Sequence, residues 1–195
     1  MIPSPEWREL ITYPPELVNW VNYRPDATFY DLLEEAIDPE WLFFLAEAGG
    51  STRREVALAM CGVARLCLPF ALKGEEQPRI TIEIAEARVH KKATKKKLQK
   101  AIALNSHPAW DGAIDFDTYC AHRFAIEATN AAARYTLNLR YPIKCTIVPL
   151  PTDYVLNAGI GSREICETMR KLLPFNRPPK PKGLTVWQRL ATEDE

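Results

Sequence analysis

The chain has 195 residues, and its 25 basic and 25 acidic side chains cancel. That balance excludes a global field able to recruit nucleic acid or an anionic membrane. At 47% hydrophobic and 26% charged it has the make-up of an ordinary globular protein, long enough for one domain with a real core.

Sixteen prolines stand against eight glycines. The prolines cluster at 3–15, 142–151 and 174–181, so both ends and one connection are expected to be stiff and extended. Three of the five cysteines, Cys61, Cys67 and Cys120, lie in apolar helical settings and read as free thiols of a reducing compartment. No basic-then-apolar secretory signal opens the sequence. The expected location is cytoplasmic.

Taken in order, residues 1–27 form a Pro-rich arm in which Pro3, Pro5, Pro14, Pro15 and Pro25 alternate with Trp7, Tyr13, Trp20 and Tyr23. Proline forbids a long helix here, and the one allowed exception is a short helix from Pro15 to Asn22. Such aromatics either cover the chain's own core or anchor a partner. Thr28 with Asp31 opens a helix through Ile37. Asp38-Pro39 starts another, with Asp as N-cap and Pro at the first helical position. Its apolar side is Trp41, Leu42, Phe44 and Leu45, and Gly49-Gly50 stops it.

Thr52–Leu68 is the stretch around which the others are organised. Thr52 and Glu55 have capping-box spacing, Arg65 is the only charge between Glu55 and Pro69, and apolar residues occupy nearly every side of the helical wheel. A helix apolar all round is enclosed by other elements. Its length and Arg65 argue against a membrane span.

The next helix starts at Gln77-Pro78. ITIEI alternates like a strand, but the Ile80–Ile84–Ala87 spacing favours helix with those residues, and then Val89, facing inward. Lys91 to Lys100 holds six lysines in ten residues. Thr94 is the expected N-cap, and Leu98, Ala101, Ile102 and Leu104 are expected inside. Lys92, Lys96 and Lys100, four apart, share a face.

Residues 105–115, with Trp110, form a loop. A long helix then runs from Asp115 or Asp117 to about Arg140, with Ala121, Ala125, Ala128 and Ala132 as a small-residue row that admits a close neighbour. IKCTIV (143–148) is the one short strand expected, and 149–161 with Tyr154 is read as loop. Ser162 caps a last helix with Ile165, Met169, Leu172 and Leu173 on its apolar side. Residues 176–195 form a second Pro-rich arm.

Candidate chemistry is sparse. The lysine cluster (Lys91, Lys92, Lys95, Lys96, Lys97, Lys100) suits phosphate contacts, but it lacks interleaved arginines or aromatics that would read or stack bases. Gly159-Ile160-Gly161-Ser162 lacks the lysine of a phosphate loop. Cys120 and His122, two apart on a helix, point in different directions and cannot pair. With three histidines and no CxxC or HxxxH, neither a metal site nor a cysteine nucleophile is expected. No cofactor and no catalysis are expected.

Four blocks carry a likeness: EWLFFLAEAGGSTRREVALAMCGVARLCLPF (40–70), EEQPRITIEIAEARVHKKATKKKLQKAI (75–102), AHRFAIEATNAAARYTLNLR (121–140) and REICETMRKLLPF (163–175). Their order resembles that of a family of bacterial helical proteins, some of them described as immunity proteins. The matching positions are Arg79, Ile82 and Glu83, then Thr94 and Leu98, then Cys166, Glu167, Arg170, Pro174 and Phe175. The resemblance implies a non-catalytic inhibitor in bacterial or phage conflict systems, with a toxin or a defence or host factor as its partner.

The expected architecture is an all-α, compact multi-helix bundle around a buried central helix. It comprises a helical domain at 28–175, extended arms at 1–27 and 176–195, and at most one short strand. The expected function is protein-protein inhibition through Trp7, Tyr13, Trp20, Tyr23, Trp110 and Tyr154. The alternatives are a nucleic-acid-binding accessory protein using the lysine cluster and a structural subunit that self-associates.

Overall fold

Local chemistry sets most helix boundaries. In this computed structural model, which describes residues 5–12, 14–106, 114–137 and 150–173, the helices are α1 (Pro15–Asn22), α2 (Phe29–Glu35), α3 (Pro39–Ala48), α4 (Arg53–Arg65), α5 (Gln77–Val89), α6 (Lys95–Leu104), α7 (Phe116–Leu137), α8 (Pro151–Asn157) and α9 (Ser162–Leu172). Thr28–Asp31 and Thr52–Glu55 both form complete capping boxes, each satisfying two backbone donors. Asp38 accepts from Glu40 N at 2.8 Å, Thr94 from Lys97 N at 3.2 Å, and Asp115 from Thr118 N at 2.9 Å.

α4 is central. Val56, Ala57, Ala59, Met60, Cys61, Val63 and Ala64 are all buried, and α3, α5, α7, α8 and α9 pack around them. The architecture is an all-α helical bundle, with no strand among the described residues. Small residues on two helices allow close approach. Ala125, Ala128 and Ala132 of α7 are buried in the shared core, and Gly62 leaves space for the Leu172 side chain of α9, which a Cβ there would strike.

A polar network joins α6 to α7 inside the bundle. Asn105 Nδ2 donates to Thr129 Oγ1 at 2.7 Å and Asn130 Oδ1 at 3.0 Å, while Asn130 Nδ2 returns a bond to Asn105 O at 2.9 Å.

Several expectations are corrected. The arm expected at 1–27 is not extended where it is described: Pro5–Leu10 is a 3₁₀ helix, and α1 is the short helix allowed for from Pro15 to Asn22. Trp7, Ile11, Leu17 and Val21 belong to the same core as the rest, because burying these large apolar groups outweighs the local stiffness of proline. α4 ends at Arg65 rather than Leu68, and the chain tightens into a 3₁₀ turn at Leu68–Phe70 around Pro69.

α5 buries Pro78, Thr81, Ile82, Ala85 and Val89, whereas Ile80 is exposed and Ile84 half-buried. The inward face is rotated so that Ile82, Ala85 and Val89 enter the core, with the Thr81 hydroxyl 3.4 Å from Ala101 O. Leu104 and Leu172 are exposed rather than inside. Residues Pro151–Asn157 are helical where a loop was expected, with Pro151 in the first turn. Gly161, not Ser162, occupies the N-cap of α9. The expected strand at 143–148 and the arm at 176–195 lie outside the described residues.

Candidate partner-binding surface

The elements that open the chain converge on one corner. α1 carries Glu16 and Trp20 on one side, four residues apart, and is followed by Tyr23 and Arg24. α3 begins with Glu40 and Trp41 just after Ile37 and Asp38. The Trp20 and Trp41 rings meet at 5.1 Å between centroids, tilted by 45°, and both remain half-buried. The Arg24 guanidinium lies 4.6 Å from the centre of the Trp20 ring and pairs with Glu35. Tyr23 is 87% exposed and Ile37 79% exposed, so large apolar side chains stand in water three positions after Trp20 and four before Trp41 in the chain.

Carboxylates crowd one part of this corner. Burial, then the nearby carboxylates of Asp153, Asp38 and Glu16, hold the Glu40 carboxyl above its ordinary range. Burial and Asp38 do the same to Asp153 at the start of α8. Both causes disfavour the charged form. Among the described residues none of these four acids has an ion-pair partner. Other acids do: Glu35 pairs with Arg24, Glu86 with Arg65, Glu76 and Glu83 with Arg79, and Glu167 with Arg163.

Two arginines hold the corner in place. Arg8, from the 3₁₀ helix, donates to Val21 O at 2.8 Å, Arg24 O at 2.8 Å and Ala27 O at 2.6 Å, closing the C-terminal end of α1. Arg170, from α9, donates to Leu33 O at 2.9 Å, Glu34 O at 2.9 Å and Ala36 O at 2.6 Å, closing α2. A planar, permanently charged fork is suited to several carbonyls at once. Leu33 O and Glu34 O are among the carbonyls a helix end leaves unpaired, whereas Val21 O and Arg24 O also accept backbone bonds from Arg24 N and Ala27 N.

The structure separates the aromatic residues expected to bind a partner. Trp20 and Tyr23 reach this surface. Trp7 does not: it is 6% exposed and packs edge-on against Phe29 at 5.1 Å, so its indole is spent on the chain's own core. Tyr154 is half-buried in the field of Glu127, Arg134 and Arg123 of α7. Tyr13 and Trp110 lie outside the described residues. Trp41, Ile37, Arg24 and the four acids were missed, although DPEW at 38–41 already set two acids beside a tryptophan.

The lysine cluster is exposed throughout, but its expected face is broken. Lys91 adopts φ +61°, and Lys92 N bonds Ala87 O at 2.7 Å across the end of α5, a Schellman closure. Only Lys95, Lys96, Lys97 and Lys100 are therefore helical.

His122, fully buried, accepts from Leu72 N through Nδ1 at 3.2 Å, so its proton resides on Nε2, 3.2 Å from Glu75 Oε2. This fastens the 71–76 turn to α7, beside a shallow hollow over residues 72–77 and Ile80. Burial pushes the Cys61 and Cys67 thiols up to about 12, which removes the thiolate needed for chemistry near neutrality. Among the described residues no group of three His, Cys, Asp or Glu is placed to hold a metal, and no helix is long and apolar enough to cross a membrane. No protein-family model, curated protein or solved structure matches the chain.

Proposed function

We propose that this protein is a non-enzymatic inhibitor that acts by protein-protein contact, in the manner of an immunity or counter-defence protein directed at a toxin or a defence or host factor. One observation carries the reading. The Trp20 and Trp41 rings meet, Arg24 lies over Trp20, and Tyr23 and Ile37, close to them in the chain, are exposed. Trp, Tyr and Arg are the residues that supply most binding energy at interfaces. The four-block resemblance to helical immunity-type proteins points the same way.

The test is co-purification from the native host with tagged wild-type chain and with Tyr23→Ala/Ile37→Asp. Both positions are exposed, so the variant is expected to fold. A stoichiometric partner held by the wild type and lost from the variant supports the reading. Absence of any stoichiometric protein, or equal retention by the variant, overturns it.

A second reading, nucleic-acid binding, is favoured by Lys95, Lys96, Lys97 and Lys100, which are exposed and pair with no acid among the described residues. It requires an affinity for DNA or RNA that falls steeply with salt and is abolished by Lys96→Glu/Lys100→Glu. No mobility shift at low salt eliminates it.

A further inference from the structure

We infer that the outward face of α6 is a second docking surface, one that takes an acidic, partly apolar protein segment: carboxylates against Lys96, Lys97 and Lys100, and an apolar side chain against Leu104. It uses none of the residues of the aromatic surface on α1 and α3, so its experiment can fail while that reading stands.

The face follows from the helix period. Leu98, Ala101 and Asn105 are buried, which turns the opposite side of α6 to water. At about 100° per residue that side carries Lys96, Lys97, Lys100, Ala103 and Leu104, all of them exposed. Leu104 is 59% exposed and stands one turn beyond Lys100. Cations therefore give way to an apolar end along a single helix.

The lysines lack counter-charge although α5, which packs against α6, is rich in carboxylates. Those of α5 and its N-cap are taken: Glu76 and Glu83 bond Arg79, and Glu86 bonds Arg65. Among the described residues no ion pair includes Lys96, Lys97 or Lys100. Lys95, Lys96 and Lys97 also fill the first turn of α6, which holds no acid, although the field of a helix favours negative charge there. A local rule broken without a compensating contact inside the chain points to a partner from outside. Complementary charge steers such a partner to the face.

The backbone beneath is held from three sides. Thr94 Oγ1 accepts from Lys97 N at 3.2 Å, Gln77 Nε2 donates to Ala101 O at 3.3 Å, and the Asn105 network ties the far end to α7. Little ordering is left for binding to impose.

Leu104 decides the class of partner. A phosphate backbone offers it no apolar group, and the face has neither the arginine nor the aromatic side chain that reads or stacks bases. The chain as a whole is neutral, so a long polyanion gains little beyond these lysines. A short acidic segment of a protein meets the lysines alone.

The experiment uses three fluorescein-labelled probes: a peptide of interspersed glutamate and leucine, the same peptide with serine for leucine, and a duplex DNA. Anisotropy is read against wild type, Lys96→Glu/Lys100→Glu, Leu104→Ser, and Trp41→Ala as a control on the other surface. Wild type is expected to bind the leucine peptide several-fold more tightly than the serine peptide, and more tightly than the DNA. Lys96→Glu/Lys100→Glu should weaken both peptides by about tenfold or more, the size of a few partly screened charge pairs, and raised salt should weaken them as well. Leu104→Ser should bring the leucine peptide down to the level of the serine peptide, and Trp41→Ala should change neither. All three substituted positions on α6 are exposed, so the variants are expected to fold, and circular dichroism melts check that loss of binding is not loss of fold.

No binding of the leucine peptide at low salt overturns the inference, as does binding untouched by Lys96→Glu/Lys100→Glu. Equal affinity of wild type for the two peptides, or a leucine preference that survives Leu104→Ser, overturns the apolar contact and with it the choice of a protein segment. DNA held more tightly than the leucine peptide, and released by the lysine variant, gives the face to nucleic acid instead.

Discussion

Replacing Arg170 tests whether the corner is built as described. One guanidinium satisfies three carbonyls at the end of α2, more than 130 positions earlier in the chain. Arg170→Met keeps the aliphatic stem and removes all three bonds. The Leu33 and Ala36 carbonyls are part-buried and do not fully regain water, whereas the Glu34 contact is exposed and does. At about 1–1.5 kcal/mol for each of the two part-buried charge-assisted bonds, the loss is about 2–3 kcal/mol. That is a large share of a typical total of about 5–15 kcal/mol, and it lowers Tm by about 5–10 °C in a chain of this size. Arg170→Lys delivers donors from a single point, so it should recover no more than about half. Urea and thermal melts followed by circular dichroism measure both, and amide exchange should quicken first at the end of α2. Should Arg170→Met melt within about 0.5 kcal/mol of wild type, or Arg170→Lys match wild type, the long-range cap is not what holds α2.

Three further outcomes follow from the same geometry. Asn105→Ala strips the donor from buried Asn130 Oδ1 and Thr129 Oγ1 and should cost about 2–4 kcal/mol; its coupling to Asn130→Ala in a double-mutant cycle should be of the order of 1 kcal/mol or more, and additive losses would refute the network. Lys91→Gly relieves a left-handed backbone and should stabilise by about 0.5–1 kcal/mol, so a loss of stability in the same melt would count against that turn. Glu40→Gln/Asp153→Asn should be more stable than wild type at neutral pH, and the gap should close as pH falls below the ordinary carboxylate range of about 4. The sign follows from proton uptake: with both carboxyls raised by burial and like charge, the folded chain holds protons the unfolded chain has released, so wild-type stability falls as pH rises through that window. A gap that widens on acidification would reverse the argument.

The bundle was legible where a short-range rule decides the outcome. Capping residues at Thr28, Asp38, Thr52, Thr94 and Asp115 marked helix starts because the bonds they make span two or three residues. The largely apolar run after Glu55 announced its own enclosure. Rotation of α5 was not legible, since it depends on where α4, α6 and α7 pack against it. Proline was over-read near the N-terminus. It fixed the starts of α1 and α3 without extending the chain, and Trp7 went inside because Phe29 was there to receive it.

The surface was half legible for a related reason. Trp20 and Tyr23 stand out in any reading, but their meaning depends on Trp41, Glu40 and Asp153, which arrive from two other helices. Arg8 and Arg170 could not be assigned from sequence because each acts on carbonyls far from it, and backbone carbonyls carry no residue signature. Those two arginines also fix the backbone of the corner. α1 and α2 are short helices of eight and seven residues, too short to hold their own ends in water. The packed core fixes one side of each and a buried or half-buried guanidinium fixes the other. What remains in solvent is a set of aromatic and acidic side chains on a backbone with little freedom left, so binding loses less entropy in ordering them.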